Sequence, residues 1–285
     1  MASRRNPPTA RLRRLASELL RLRKVAKLSR EAVTERTGIN NVTLYRLETG
    51  RSRPQRRTLL ALLDLYDVDR ANRVDLLELS QAAEYPGWLR QYQSELPEIY
   101  TAFISFEAEA RSSRNYESLL MPGLLQTEEY ARAVVKGVVT WASTEQVERY
   151  VDARLARQVA LTKGEPLRLW AIVDEAAIRR QVGGRGVMRA QLLHILEASQ
   201  QAHVTFQVIP FDKGGHPGMP GAFVLLEFPD AADTDLVYLE NMAGDLFLDS
   251  EIAVRRYTLA FEHLRALALS PDDSLRLIAR AANEG

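Results

Sequence analysis

No cysteine occurs anywhere in the 285 residues. That absence excludes a disulfide framework, a thiolate nucleophile and every zinc site built on cysteine. Histidine is scarce as well: His194, His203, His216 and His263 are the full set and contain no HExxH pair, so no metal and no cofactor is expected. No stretch approaches the roughly 18 apolar residues needed to span a bilayer. The opening MASRRNPPTARLRR carries arginines with no apolar segment behind them, so a cytoplasmic protein without a membrane partner is expected. Catalytic loops are missing too. GGRGVM and GGHPGMPG lack the GxGxxG and GxxxxGK[ST] spacings that cradle phosphates, and there is no GxSxG elbow, so the chain is not expected to be an enzyme.

What is present is unevenly distributed. The formal net charge is +1, yet residues 1–60 hold sixteen Lys and Arg against four acids, Glu18, Glu31, Glu35 and Glu48, a balance of +12. The remaining 225 residues hold 22 basic and 33 acidic side chains, a balance of −11. A cationic module directed at a polyanion is thus joined to an acidic body with another task.

Within the basic part, residues 1–9 with their NPP read as a disordered arm, and residues 10–83 read as five helices. Leu12, Leu15, Leu19 and Leu22 recur at steps of three and four and make one face of the first helix apolar. Ser29 has the side chain to cap a second helix over about residues 30–37, and Gly38 supplies the left-handed residue that ends it. Asn40 can cap a third, with Thr43 at its third position and Gly50 just past its end. A fourth follows Pro54, and a fifth spans about residues 69–83. Two short helices joined by a glycine turn inside a small bundle describe a helix-turn-helix, whose second member lies in the major groove.

If Ile39, Leu44 and Leu47 face the bundle, the helical wheel turns Asn41, Val42, Tyr45 and Arg46 outward as candidate base readers. Asn pairs bidentately with adenine and Arg with guanine, and Val42 suits a thymine methyl. The segment SREAVTERTGINNVTLYRLETGRSRP resembles the helix-turn-helix of the phage-repressor, or xenobiotic-response-element, class. In that class Ser29 is the cap of the second helix, Arg30 its phosphate-facing neighbour, and Asn41, Val42 and Arg46 fall on base-reading positions. Thr34 departs from the frequent Ala of the class, and Thr37 from its frequent Leu. With Asn40 and Thr43 at the start of the third helix and Arg51 and Arg53 beyond its end, Ser29 and Arg30 complete the candidate phosphate contacts.

Residues 84–100 break helical periodicity with two prolines and a glycine and read as a connector, leaving 101–285 as a second domain. There FISFEAEA, residues 103–110, alternates as a strand, which would put Glu107 and Glu109 on one solvated face. A helix is expected from near Thr127 and another capped by Ser143 or Thr144. LRLWAIV, VMRAQLLHILEAS and VTFQVIP read as a βαβ unit with parallel strands, and GAFVLLEF with DLVYLE as an antiparallel hairpin. The tail from Ser250 is helical and interrupted at Pro271. The fold class is therefore α+β multidomain, an all-α helix-turn-helix bundle followed by a mixed α/β domain with a small sheet and C-terminal helices.

MPGLLQTEEYARAVV, VDARLARQ, WAIVDEAAIRRQVGG, MRAQLLHILE, QVIPFDKGGHPGMPGAFVLLEF and VYLEN are similar, in order, to the C-terminal domain of actinobacterial Scr-type, antitoxin-like transcriptional regulators. The resemblance implies a partner, a small protein encoded beside the regulator. Trp88, Tyr92, Trp141 and Tyr150 are candidate aromatic anchors for it. Trp170, Glu175 and His216 are the candidate effector or partner site, His216 because it stands between glycines in a loop able to cover a pocket.

The expected function is a homodimeric transcriptional regulator of double-stranded DNA. Its α/β domain would sense a partner protein or a small-molecule effector and mediate dimerisation. An alternative is an antitoxin-like interaction factor that binds the co-encoded protein, with DNA binding as autoregulation. A second is a DNA-tethered hydrolase or nucleotide-dependent enzyme, for which Asp174, Glu175 and His216 would have to converge.

Overall fold

A computed structural model describes residues 9–82, 87–92, 96–230, 233–242 and 244–284. Residues 1–8 of the expected basic arm, and residues 83–86 and 93–95 in and beside the expected connector, lie outside them. Among the described residues no helix is long and apolar enough to cross a membrane. The chain divides into two compact units, residues 1–93 with 97–106, and residues 94–96 with 107–285.

The first unit begins with α1 (Ala10–Val25), α2 (Arg30–Thr37), α3 (Asn41–Glu48), α4 (Arg56–Leu65) and α5 (Arg70–Ala82). Local chemistry sets the ends of the two central helices. Ser29 Oγ accepts from the Ala32 amide at 3.1 Å, and Asn40 Oδ1 accepts from the Val42 amide at 2.8 Å. Gly38 ends α2 at φ +71°, a left-handed conformation that a side chain would oppose. Leu15, Leu19, Val33, Leu44, Leu59 and Leu62 are fully buried in one core, with Ile39 packed against it. Each buried leucine contributes on the order of 1.5–3 kcal/mol by leaving water.

A short 3₁₀ segment, Gly87–Tyr92, precedes α6 (Glu98–Glu109). This helix corrects the strand expected over residues 103–110 and, with it, the shared strand face of Glu107 and Glu109. Residues 100–107 are all buried, so the polar positions Glu98, Thr101, Ser105 and Glu109, though spaced at three and four, are filled at their centre by small buried hydroxyls rather than by a solvated charged stripe. A short apolar run of that kind does not distinguish helix from strand by periodicity.

The remaining elements are β1 (Ser112–Glu117), α7 (Glu128–Val138), α8 (Thr144–Ala156), β2 (Arg168–Asp174), α9 (Glu175–Arg179), α10 (Arg185–Ala198) and β3 (Val204–Ile209). They are followed by β4 (Phe223–Glu227), β5 (Leu236–Leu239), β6 (Leu246–Leu248), α11 (Glu251–Leu267) and α12 (Pro271–Glu284). The described strands form one sheet in the order β3-β2-β1-β4-β5-β6. β1, β2 and β3 are parallel, while β1–β4, β4–β5 and β5–β6 pair antiparallel. The expected βαβ unit and hairpin are present, as are the caps Thr127 and Ser143 and the helical break before Pro271.

β1 is a central strand that sequence patterning did not find, because SSRNYE has almost no apolar alternation. Two of its polar side chains find a distant partner. Ser112 Oγ donates to Glu227 Oε2 at 2.5 Å, and Arg114 pairs with the same carboxylate. On one face of the sheet Tyr116, Ile172, Ile209, Phe223 and Val237 pack against Phe261 and Leu264 of α11.

Candidate nucleic-acid interface and the carboxyl edge of the sheet

The outward face of α3 carries Val42, 58% exposed, Tyr45, 36% exposed, and an exposed Arg46, while Leu44 and Leu47 face the core. Tyr45 is held between two cations: the guanidinium carbons of Arg30 and Arg51 lie 5.1 and 5.2 Å from its ring centroid. The ring thus ties α2 and the segment after α3 into one basic surface. Asn41 is half-buried, and its Nδ2 donates to Glu31 Oε1 at 2.9 Å, so reading a base requires exchange of that bond. Arg51 is anchored by its backbone, whose amide donates to the Arg46 carbonyl at 2.8 Å.

Beneath this face lies a residue that sequence reasoning passed over. Glu48, 4% exposed, accepts from Arg23 Nε at 2.5 Å and from Arg30 Nε at 2.8 Å, so one buried carboxylate joins α1, α2 and α3. The pairing with Glu48 raises the Arg23 pKa. Arg23 Nη1 also donates to the Leu28 carbonyl at 2.9 Å and closes the α1–α2 turn. Burial next to Glu48 pushes the Tyr66 phenol up to about 12. Thr37 uses its hydroxyl to bond the Val33 carbonyl at 2.7 Å and to accept from the Ile39 amide at 3.2 Å, which gives its departure from Leu a local purpose.

In the second unit the registers bring the last residues of β1, β2, β3 and β5 to one edge of the sheet. Asp174, Glu175 and His216 meet there. His216 Nε2 donates to Asp174 Oδ2 at 3.2 Å, and its Nδ1 accepts from the Gly218 amide at 3.2 Å. Glu175 Oε2 accepts from the Phe211 amide at 3.0 Å. Both ring nitrogens are therefore engaged in fastening the 211–218 loop. Gly218 is required there, since a Cβ would come within 2.4 Å of the Tyr116 ring. Trp170 is not part of this cluster. It lies four residues earlier on β2, roughly 13 Å along the strand, where its Nε1 donates to Gln207 Oε1 at 2.7 Å and Arg265 stacks 5.1 Å from its ring centroid.

The opposite face of the same edge carries a second polar group. Asn115 Nδ2 donates to Glu117 Oε1 at 3.4 Å, and Arg154 Nη1 donates to Gln126 Oε1 at 3.1 Å. Asn115 Oδ1 and Arg154 Nε are buried without a hydrogen-bond partner. Burial, and secondarily the charge of Glu240, push Glu117 up to about 8, and burial likewise raises Glu240.

Comparison with known proteins places both units. A helix-turn-helix domain family matches residues 4–76, and a family described as a domain of unknown function, DUF5753, matches residues 100–280. The second match covers more than half of the chain. The chain belongs to the DUF5753 family. No curated protein and no solved structure matches it.

In this DUF5753 protein the helix-turn-helix match coincides with the unit in which Ser29, Arg30, Asn40, Asn41, Val42, Thr43, Tyr45, Arg46, Arg51 and Arg53 stand. α2 and α3 bring the first eight of these together, with Thr43 exposed on α3. Of the four aromatic anchors expected in and beside the DUF5753 domain, Trp141 is 82% exposed. Tyr150 packs against the apolar cluster between α7 and α8, and Trp88 lies edge-on to Tyr92. Glu48, Asn115 and Glu117 were missed as site residues. Their only sequence signal is a charged or amide side chain inside an otherwise ordinary element.

Proposed function

We propose that this DUF5753 protein is a sequence-specific DNA-binding transcriptional regulator in which α3 reads bases and the α/β domain controls the outcome. One observation carries the reading: α3 presents Val42 and Arg46 to solvent beside a Tyr45 ring clamped by Arg30 and Arg51, all in a unit with a large cationic excess. Arginine and an apolar contact on the first turns of such a helix suit guanine and thymine in the major groove, and the flanking cations suit phosphates. The domain similarity to helix-turn-helix proteins supports the same reading. Selection from a randomised duplex pool tests it. A defined motif from the wild type and a relaxed one from Arg46→Ala is the expected pair of results. No motif from the wild type would overturn the proposal.

The finer parts of the reading are a homodimer, formed through the α/β domain, and control by a partner or a small molecule. The −11 balance of residues 61–285 favours a basic or neutral partner over DNA. Exposed Trp141 offers the anchor for a small co-encoded protein, the antitoxin-like version of the proposal. A non-catalytic role is consistent with His216, whose two nitrogens both hold loop contacts.

A further inference from the structure

The registers place two carboxylates in one row of the sheet. Tyr116 pairs with Phe223, and Val224 with Tyr238. Continuing the first register by one residue and the second by two aligns Glu117, Ala222 and Glu240 on one face. Two strand spacings separate the outer pair, roughly 9.5 Å between backbones, and the residue between them has only a methyl side chain. In the row behind, Asn115, Val224 and Tyr238 share that face. The result is a notch with an alanine floor, a carboxylate on each side and Asn115 at its back.

The notch has unused valence. Asn115 is 8% exposed, yet its Oδ1 accepts no hydrogen bond, and the Nδ2 bond to Glu117 keeps the amide turned toward the carboxylate. Arg154 Nε is buried and donates to nothing, while the same side chain is fixed from its other end by Gln126. Arg154 and Arg157 act electrostatically on both Glu117 and Glu240, but neither carboxylate forms an ion pair among the described residues. A buried acceptor and a buried donor left unmade each cost about 1–3 kcal/mol, which water or a ligand that completes them would remove.

We propose that Asn115, Glu117, Arg154 and Glu240 bind a small molecule carrying a protonated primary amine next to a hydrogen-bond acceptor, the chemistry of a free amino acid. The ammonium sits between Glu117 and Glu240 and donates to Asn115 Oδ1, and the acceptor takes the Arg154 Nε–H. A metal ion fits less well, because among the described residues no group of three His, Asp or Glu side chains is arranged to hold one. Burial pushes the Glu117 pKa up to about 8, so a bound ammonium, which favours the carboxylate, would release its proton. This gives the regulator a ligand site away from the His216 loop. It rests on the regulator reading only for what binding is for, since ligand binding is measured without DNA.

The experiment is calorimetric titration of the full-length protein with each of the twenty free amino acids and with glucosamine, at about pH 6 and about pH 8. At least one probe is expected to bind, with an affinity that rises by up to about tenfold per pH unit below 8. Glu117→Gln is expected to weaken that probe by tenfold or more, about 1.4 kcal/mol, and Glu240→Gln carries the same test if Glu117→Gln does not fold. Binding by no probe, equal affinity at the two pH values, or affinity unchanged in the variant would overturn the proposal. Failure of operator recognition would leave all of these readouts intact.

Discussion

Glu107 and Arg157, fifty residues apart in sequence, form a two-pronged ion pair that is almost wholly buried. Arg157 Nε donates to Glu107 Oε2 at 2.8 Å and Nη2 to Oε1 at 2.9 Å. It joins α6 to the 3₁₀ segment after α8. Removing one partner strands a buried charge, so Glu107→Ala is expected to cost about 3–5 kcal/mol in urea unfolding. The double variant Glu107→Leu with Arg157→Met should recover most of that loss. An additive double loss would mean that the pair is not the source of the effect.

Two arginines of the basic unit should differ in what they change. Arg46→Ala is expected to cost about 1–3 kcal/mol at the selected site and to relax one base position. Arg51, stacked on Tyr45 beyond the end of α3, is placed to meet phosphate. Its replacement by Ala should weaken all sequences alike and reduce the salt slope by about one. Binding isotherms at several salt concentrations, on selected and scrambled duplexes, separate the two outcomes.

Glu117 predicts a pH dependence of stability. Its folded pKa of about 8 lies above the ordinary value of 4.5, so the folded state holds the proton more tightly than the unfolded chain. The resulting stability is fully present below about pH 4.5 and is lost as pH rises through 8. Glu240 pushes in the same direction, and Arg154 and Arg157 oppose it. Thermal unfolding between pH 5 and pH 8 should therefore fall more steeply for the wild type than for Glu117→Gln. Parallel curves would remove Glu117 as the source.

A single helix-turn-helix unit covers little DNA, so useful affinity is expected from a symmetric dimer on half-sites about 34–36 Å apart, or a multiple of that spacing. Sedimentation at operator-saturating concentration, together with a spacer series in the duplex, checks this. A monomer that binds one half-site tightly would count against it.

The local punctuation of the chain was decided by the sequence alone. Ser29, Gly38, Asn40, Thr127, Ser143 and Pro271 act within a few residues of themselves, through caps, a left-handed turn and a missing amide, so no distant partner is needed to read them. The same holds for the outward set of Val42, Tyr45 and Arg46, which follows from the apolar spacing of Leu44 and Leu47. Only tertiary structure decided the rest. α6 buries residues 100–107, including the hydroxyls Thr101 and Ser105 on its polar positions, and β1 is a polar strand whose Ser112 finds Glu227 across 115 positions. Glu48 becomes the joint of three helices only when Arg23 and Arg30 arrive from elsewhere. Glu117 and Glu240 become neighbours only when β4 is laid between β1 and β5. In each case the energy of a charged or amide side chain depends on which charge or dipole the fold brings to it, and that is a property of the sheet order and helix packing, not of the segment in which the residue stands.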